Sequence, residues 1–159
     1  MISIFNGRSR TLGEGATSQV YLRVSVDFRD YLDRFRGAEL FVFMAIALHS
    51  NKAGWAWPSY ESLAEETGYG RITVARALSS LCKMEIEGRR MLLRMRFRDE
   101  TLGPNHYLIF PSQQEIELYD GKTLPISERA AMLGLRTGFV HIDNLHTENQ
   151  YHNHTHRKQ

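Results

Sequence analysis

The tightest constraint on this chain is the spacing of Ala64, Gly68 and Val74. Each meets a separate steric demand of two helices packed across a tight turn. Ala64 allows close approach, Gly68 takes the positive φ that ends the first helix, and Val74 packs back beneath it from the second. The flanking residues agree: Ser59 is placed to cap a helix that runs to Thr67, with Glu61 in its first turn. The following helix is predicted over 71–83 and divides into two faces at about 100° per residue. Val74, Ala77, Leu78, Leu81 and Cys82 share one face. Ile72, Arg76, Ser79, Ser80 and Lys83 share the other, with Thr73 at the flank and Arg71 at the start.

Upstream, residues 37–50 read as a helix whose apolar stripe is Leu40, Phe43, Met44, Ala47 and Leu48, widened by Phe41, Val42 and Ile46. An apolar surface that wide is expected at the centre of a domain or at a dimer interface. The stretch 51–54 supplies turn chemistry, and Trp57, next to Pro58, is read as a core anchor rather than a stacking platform. Residues 19–28 alternate as a half-buried strand, expected to pair with a later strand or a partner chain, and 29–36 form a short amphipathic turn or helix. Residues 1–18 keep no period and read as a flexible arm.

Downstream, Gly88 breaks the chain and 91–98 alternate as a strand, with Leu93, Met95 and Phe97 inward and Arg94, Arg96 and Arg98 outward. A loop over 99–105 leads to a returning strand at 106–110. Two readings of the three arginines stand: an exposed edge protected against aggregation, or a row of cations beside a polyanion. Charge distribution bears on that choice. Between Arg71 and Arg98 lie eight basic residues against only Glu85 and Glu87, whereas acidic residues outnumber basic ones elsewhere. Such asymmetry is the footprint of a face that meets a polyanion. The 71–83 face suits a major groove equally: a guanidinium can grip guanine and an apolar group can meet a thymine methyl. An ordinary solvated helix face is the alternative.

With 159 residues and 42% hydrophobic content, the chain has room for one ordinary domain with appendages. No segment reaches the roughly 20 apolar residues needed to span a bilayer, and residues 1–18 lack the apolar stretch of a signal peptide. A soluble, cytoplasmic protein is expected, at the nucleoid or on phage or plasmid DNA. The single cysteine, Cys82, falls in a helical apolar pattern and reads as a small core residue. Residues 125–135 form a candidate short helix, with Ile126, Ala130, Met132 and Leu133 for packing. Beyond residue 141 the chain is polar and His-rich. Its His152, His154 and His156 have no Cys or carboxylate beside them and do not make a defined metal site. No nucleophile–base arrangement, phosphate-binding glycine loop or carboxylate pair is found. No catalytic residue, cofactor or metal is expected, and an enzyme such as a nuclease is the third reading of function.

Taken with Ala38-Glu39-Leu40, the run Trp57-Pro58-Ser59-Tyr60-Glu61-Ser62-Leu63-Ala64, then Thr67-Gly68, Thr73-Val74 and Leu78-Ser79-Ser80-Leu81, resembles the winged helix-turn-helix domains of bacterial, phage and plasmid replication initiators and replisome organisers. The resemblance covers residues 20–110. It implies a DNA-binding domain with 71–83 as recognition helix and with Arg71, Thr73 and Arg76 as DNA contacts. Gly70 departs from the serine cap common in such domains, and Met84-Glu85-Ile86 departs from their glycine-containing turn. The expected fold is therefore α+β, a winged helix-turn-helix with an N-terminal strand and a flexible C-terminal tail. Its expected divisions are an arm at 1–18, the DNA-binding domain at 19–112, an extension with a short helix at 113–140 and a disordered tail at 141–159. Expected DNA contacts are Arg71, Ile72, Thr73, Arg76, Ser80 and Lys83, with Arg94, Arg96 and Arg98 from the wing. Double-stranded DNA is the expected partner, in replication initiation or transcription regulation. A homodimer and replication proteins are the protein partners considered, and no membrane is expected. The alternative is a winged-helix interaction module that recruits replication or other partners through Phe41, Val42 and Ile46 without strong DNA binding.

Overall fold

The computed structural model describes residues 4–10 and 18–135. At its centre, helices α1 (Glu39–His49), α2 (Tyr60–Thr67) and α3 (Arg71–Leu81) enclose one apolar cluster. Local chemistry sets the bounds of α2. The Ser59 hydroxyl accepts the Ser62 N–H at 3.0 Å at its start, and Gly68 ends it at φ 75°, donating its N–H to the Ala64 carbonyl at 3.0 Å. Helix α3 begins at Gly70, in ordinary extended conformation and without a side-chain cap. It buries Val74, Ala77, Leu78 and Leu81.

The buried side of α1 overlaps the expected stripe and is rotated from it towards Val42 and Ile46, with Leu40 and Met44 half-buried against the core. Val42, Phe43, Ala45, Ile46 and Ala47 are buried, while Phe41 and Leu48 stand 57% and 64% exposed. An all-round apolar helix does not itself select a buried face. Here Phe43 selects it, meeting the rings of Phe28, Phe35 and Phe110. Val42 and Ile46 are therefore closed to a partner, which removes two of the three residues of the expected recruitment surface.

Before α1, strand β1 (Ile4–Arg10) pairs antiparallel with β2 (Ser18–Val24). The expected arm thus contains a strand, and β2 takes its partner from that arm and not from the wing. The strand predicted over 19–28 stops at Val24, because the Ser25 hydroxyl accepts the Asp27 N–H and starts a 3₁₀ helix, Val26–Arg34. That turn brings Phe28 into the core.

After α3, the short strands β4 (Glu85–Ile86) and β5 (Arg89–Arg90) form a hairpin. Its two-residue turn places both Glu87 and Gly88 at positive φ, the geometry that matches hairpin twist. Strands β6 (Leu92–Arg98) and β7 (Leu102–Ile109) make the wing, joined antiparallel with a register shift between Arg96 and Arg98. The wing loop is shorter than the 99–105 expected, since Gly103 and Pro104 belong to β7. With β3 (Trp55–Ala56) and β8 (Thr123–Pro125) the sheet order is β3-β7-β6-β8, and β8 runs parallel to β6.

The two faces of this sheet pack differently. Leu92, Tyr107 and Ile109 join the helical core. Leu93, Met95, Phe97 and Leu108 join Trp55 and Met132 in a second cluster. Met132 comes from α5 (Arg129–Leu135), which follows a 3₁₀ turn at Ile126–Glu128, so the predicted C-terminal helix braces the sheet. Helix α4 (Gln113–Tyr119) was not expected from the pattern after Pro111. It is started by a reciprocal cap between Ser112 and Glu115. The whole is an α+β winged helix-turn-helix, with a pair of N-terminal strands where one was expected. The predicted disordered tail, including His152, His154 and His156, lies outside the described residues.

Candidate nucleic-acid interface

Helix α3 presents Arg71, Ile72, Thr73, Arg76 and Ser79 to solvent, and Ser80 is half-buried. Ile72 is 71% exposed, a large apolar side chain left on the face opposite Val74 and Leu78. Lys83 sits in the turn past the helix, about 18 Å along the axis from Arg71 at 1.5 Å per residue. The structure does not bring it near the other basic residues at the start of α3.

At that start, Tyr60 is the connecting residue. The Arg71 guanidinium lies 5.7 Å from the Tyr60 ring centroid, and its Nη1 is 2.8 Å from Glu61 Oε1. The Tyr60 hydroxyl accepts from Arg94 Nη1 at 3.3 Å and from Asn105 Nδ2 at 3.2 Å. Asn105 Oδ1 in turn accepts Arg96 Nε–H at 2.7 Å. A continuous chain of contacts therefore links the N-terminal ends of α2 and α3 to both wing strands. The Arg71–Glu61 pair is exposed and worth little in water, so it can be exchanged for another anion.

The strand alternation held, but its sides are reversed in one respect. Arg94 and Arg96 lie on the same side of the sheet as the helices, and Leu93, Met95 and Phe97 face the C-terminal segment. Arg98, at the end of β6, is exposed. Nor do these arginines guard an open edge. Gly121 donates its N–H to the Arg94 carbonyl at 2.8 Å and Arg96 donates to the Lys122 carbonyl at 3.0 Å, so the outer edge of β6 is paired. Edge protection does not account for them.

Neighbouring arginines differ in how they are compensated. Arg90 Nη2 is 2.7 Å from Asp120 Oδ2, with both side chains mostly buried. Arg94 and Arg96 form no ion pair among the described residues and are held by a phenol and an amide.

Trp57 is not the core anchor expected. It is 41% exposed, whereas Trp55 is 1% exposed and fills the second cluster. Trp57 stacks on His106 with centroids 5.6 Å apart and carries the Arg129 guanidinium at 4.9 Å. His106 is buried; its Nδ1 lies 3.1 Å from the Pro104 carbonyl, and its Nε2 lies 3.1 Å from Arg129 Nε. With Nδ1–H donating and Nε2 accepting, both contacts are satisfied by the neutral ring. Burial holds this imidazole below its ordinary pKa, and the Arg129 charge lowers it further against the opposing Pro104 carbonyl. Cys82 packs against the core, where burial pushes its thiol up to about 11, a poor setting for a thiolate.

A family model for a helix-turn-helix domain matches residues 36–86, from just before α1 to the end of β4. Residues 36–86 form a helix-turn-helix domain. The match includes Tyr60, Arg71 and Arg76 and stops short of the wing arginines. No curated protein and no solved structure matches the chain. Among the described residues no helix is long and apolar enough to cross a membrane, and no group of His, Cys, Asp and Glu is arranged to hold a metal ion.

Proposed function

We propose that this protein binds double-stranded DNA, with α3 in the major groove and the wing on the adjoining backbone, in replication initiation or transcription regulation. A helix-turn-helix domain points to DNA binding, and the finer reading is supported by the contact chain through Tyr60, which joins Arg71 to Arg94 and Arg96. In this reading Arg71, Ile72, Thr73, Arg76 and Ser80 address the groove. Arg76 grips a base edge, Ile72 meets a methyl group, and Lys83, Arg94, Arg96 and Arg98 contact phosphates. The placement in replication rests on the likeness of 57–64 and its neighbours to initiator domains.

Selection of bound duplexes from a random library tests the proposal. An enriched motif of fixed length is expected, and two-fold symmetry in it would indicate that two copies bind. No enrichment would sink it. One observation favours a second reading, recruitment of a protein: Phe41 and Leu48 border an apolar groove with Met44, His49 and Glu66. A pull-down recovering one stoichiometric partner, with duplex binding absent, would favour that reading instead.

A further inference from the structure

Tyr60, Arg94, Arg96, Asn105, Lys122 and Thr123 line an open cleft of about 280 Å³ between α2, the wing and the segment that enters β8. Its two arginines are positioned without being neutralised. Each is fixed by a neutral acceptor, Tyr60 for Arg94 and Asn105 for Arg96, and both are half-buried. Partial burial of a guanidinium without a carboxylate leaves its charge uncompensated. Arg90, four residues before Arg94 and locked to Asp120, shows the compensated alternative in the same fold.

A third cation comes from outside the helix-turn-helix domain. Lys122 follows α4, and its ammonium donates to the Glu117 carbonyl at 2.9 Å, with two further N–H donors left on the ammonium. Its own carbonyl accepts the Arg96 N–H, which fixes this residue beside the wing. Two half-buried guanidiniums beside an open space are the donor set of an oxoanion site, since paired guanidiniums match phosphate oxygens in particular, and Lys122, whose ammonium is held by the Glu117 carbonyl of α4, adds a third positive charge at its border.

We infer that this cleft seats one backbone phosphate of the bound duplex, so that Lys122 and Thr123 of the C-terminal extension are part of the DNA-binding surface. The inference rests on the DNA-binding reading above. A polymer phosphate fits better than a small anion because Tyr60, which lines the cleft, also carries the Arg71 guanidinium 5.7 Å from its ring centroid, so that the cleft and the start of α3 share one residue. Tyr60 acts as a positioning residue, since its hydroxyl holds Arg94 and Asn105.

The test uses the full chain and a duplex recovered by selection, with affinity measured against salt for the wild type, Lys122→Gln and Arg76→Ala. Thermal unfolding checks that each is folded, and inorganic phosphate is titrated as a competitor against equal ionic strength of chloride. Lys122→Gln is expected to weaken every duplex by the same factor, to lower the slope of log affinity against log salt by about one, and to leave base preference unchanged. Phosphate is expected to compete no better than chloride. Wild-type affinity and slope in Lys122→Gln, with base preference lost in Arg76→Ala, would overturn the cleft assignment while DNA binding stands. Saturable displacement by phosphate alone would overturn it in favour of a small-anion site. Failure of the wild type to bind any duplex would remove the reading beneath it as well.

Discussion

The two faces of the wing sheet are made by alternate residues of one strand, yet they answer to different physics. Leu93, Met95 and Phe97 on β6 are buried against Trp55 and Met132, and the side closes on itself. Arg94 and Arg96, interleaved with them, are held by Tyr60 and Asn105 in an open cleft with no counter-charge among the described residues. The apolar face recovers its free energy within the chain. The cationic face leaves electrostatic interaction to be completed by something else, and this asymmetry is what a surface for a polyanion requires.

Substitutions on the two faces should therefore separate stability from binding. Phe97→Ala is expected to have the largest effect, a loss of about 3–5 kcal/mol in denaturant unfolding, because a buried ring leaves a cavity in the second cluster. At temperatures where the variant stays folded, its duplex affinity per folded molecule should hold. A large change in salt slope here would break the division between the faces. Arg76→Ala, on the exposed side of α3, should cost about 1–3 kcal/mol of discrimination at one base step and little stability, read by competition between duplexes that differ at that step.

Among the arginines the contrast is finer. Arg90→Gln removes the partner of the mostly buried Asp120 and is expected to lower stability by about 1–2 kcal/mol. Arg96→Gln should leave stability nearly unchanged, weaken all duplex sequences alike and reduce the salt slope by about one. Equal behaviour of the two variants in both measurements would contradict the difference in compensation described above.

The smallest effect is a pH dependence at the rim of the apolar face. His106 has a lowered pKa in the folded state, so on acidification the unfolded chain takes up a proton first. Stability is complete above the ordinary value of about 6.5 and declines as pH falls below it. His106→Gln should lose this acid limb, as seen in melting temperature against pH, even if its neutral-pH stability is lower.

Which parts of this arrangement were legible beforehand follows from how local their causes are. Ser59, Gly68 and Val74 act within a few residues of themselves, and the two helices lie where the sequence puts them, except that α3 stops at Leu81 rather than at residue 83. The alternation of β6 was equally local, but which of its faces meets the helices depends on where the C-terminal segment packs. Helix α1 and most of its buried residues are legible, but the exposure of Phe41 and Leu48 is not, because aromatic partners distant in sequence set the rotation of the helix. Arg94 and Arg96 are legible as candidates from the alternation of 91–98 and the local excess of basic residues. Asn105 was not, although hairpin register pairs it directly with Arg96. Lys122 carries no local signal, since only the parallel pairing of β8 brings it to the wing. Trp55 and Trp57 show the same limit: separated by Ala56 alone, they differ in burial through tertiary contact.

The most direct test of DNA binding by α3 and the wing is the affinity of the full chain for a selected duplex as a function of salt. A linear fall of log affinity with log salt is expected, steep enough to indicate several phosphate contacts, and shallower by about one when Arg96 is replaced by Gln. Affinity that does not change with salt, or a slope that Arg96→Gln leaves untouched, would contradict it.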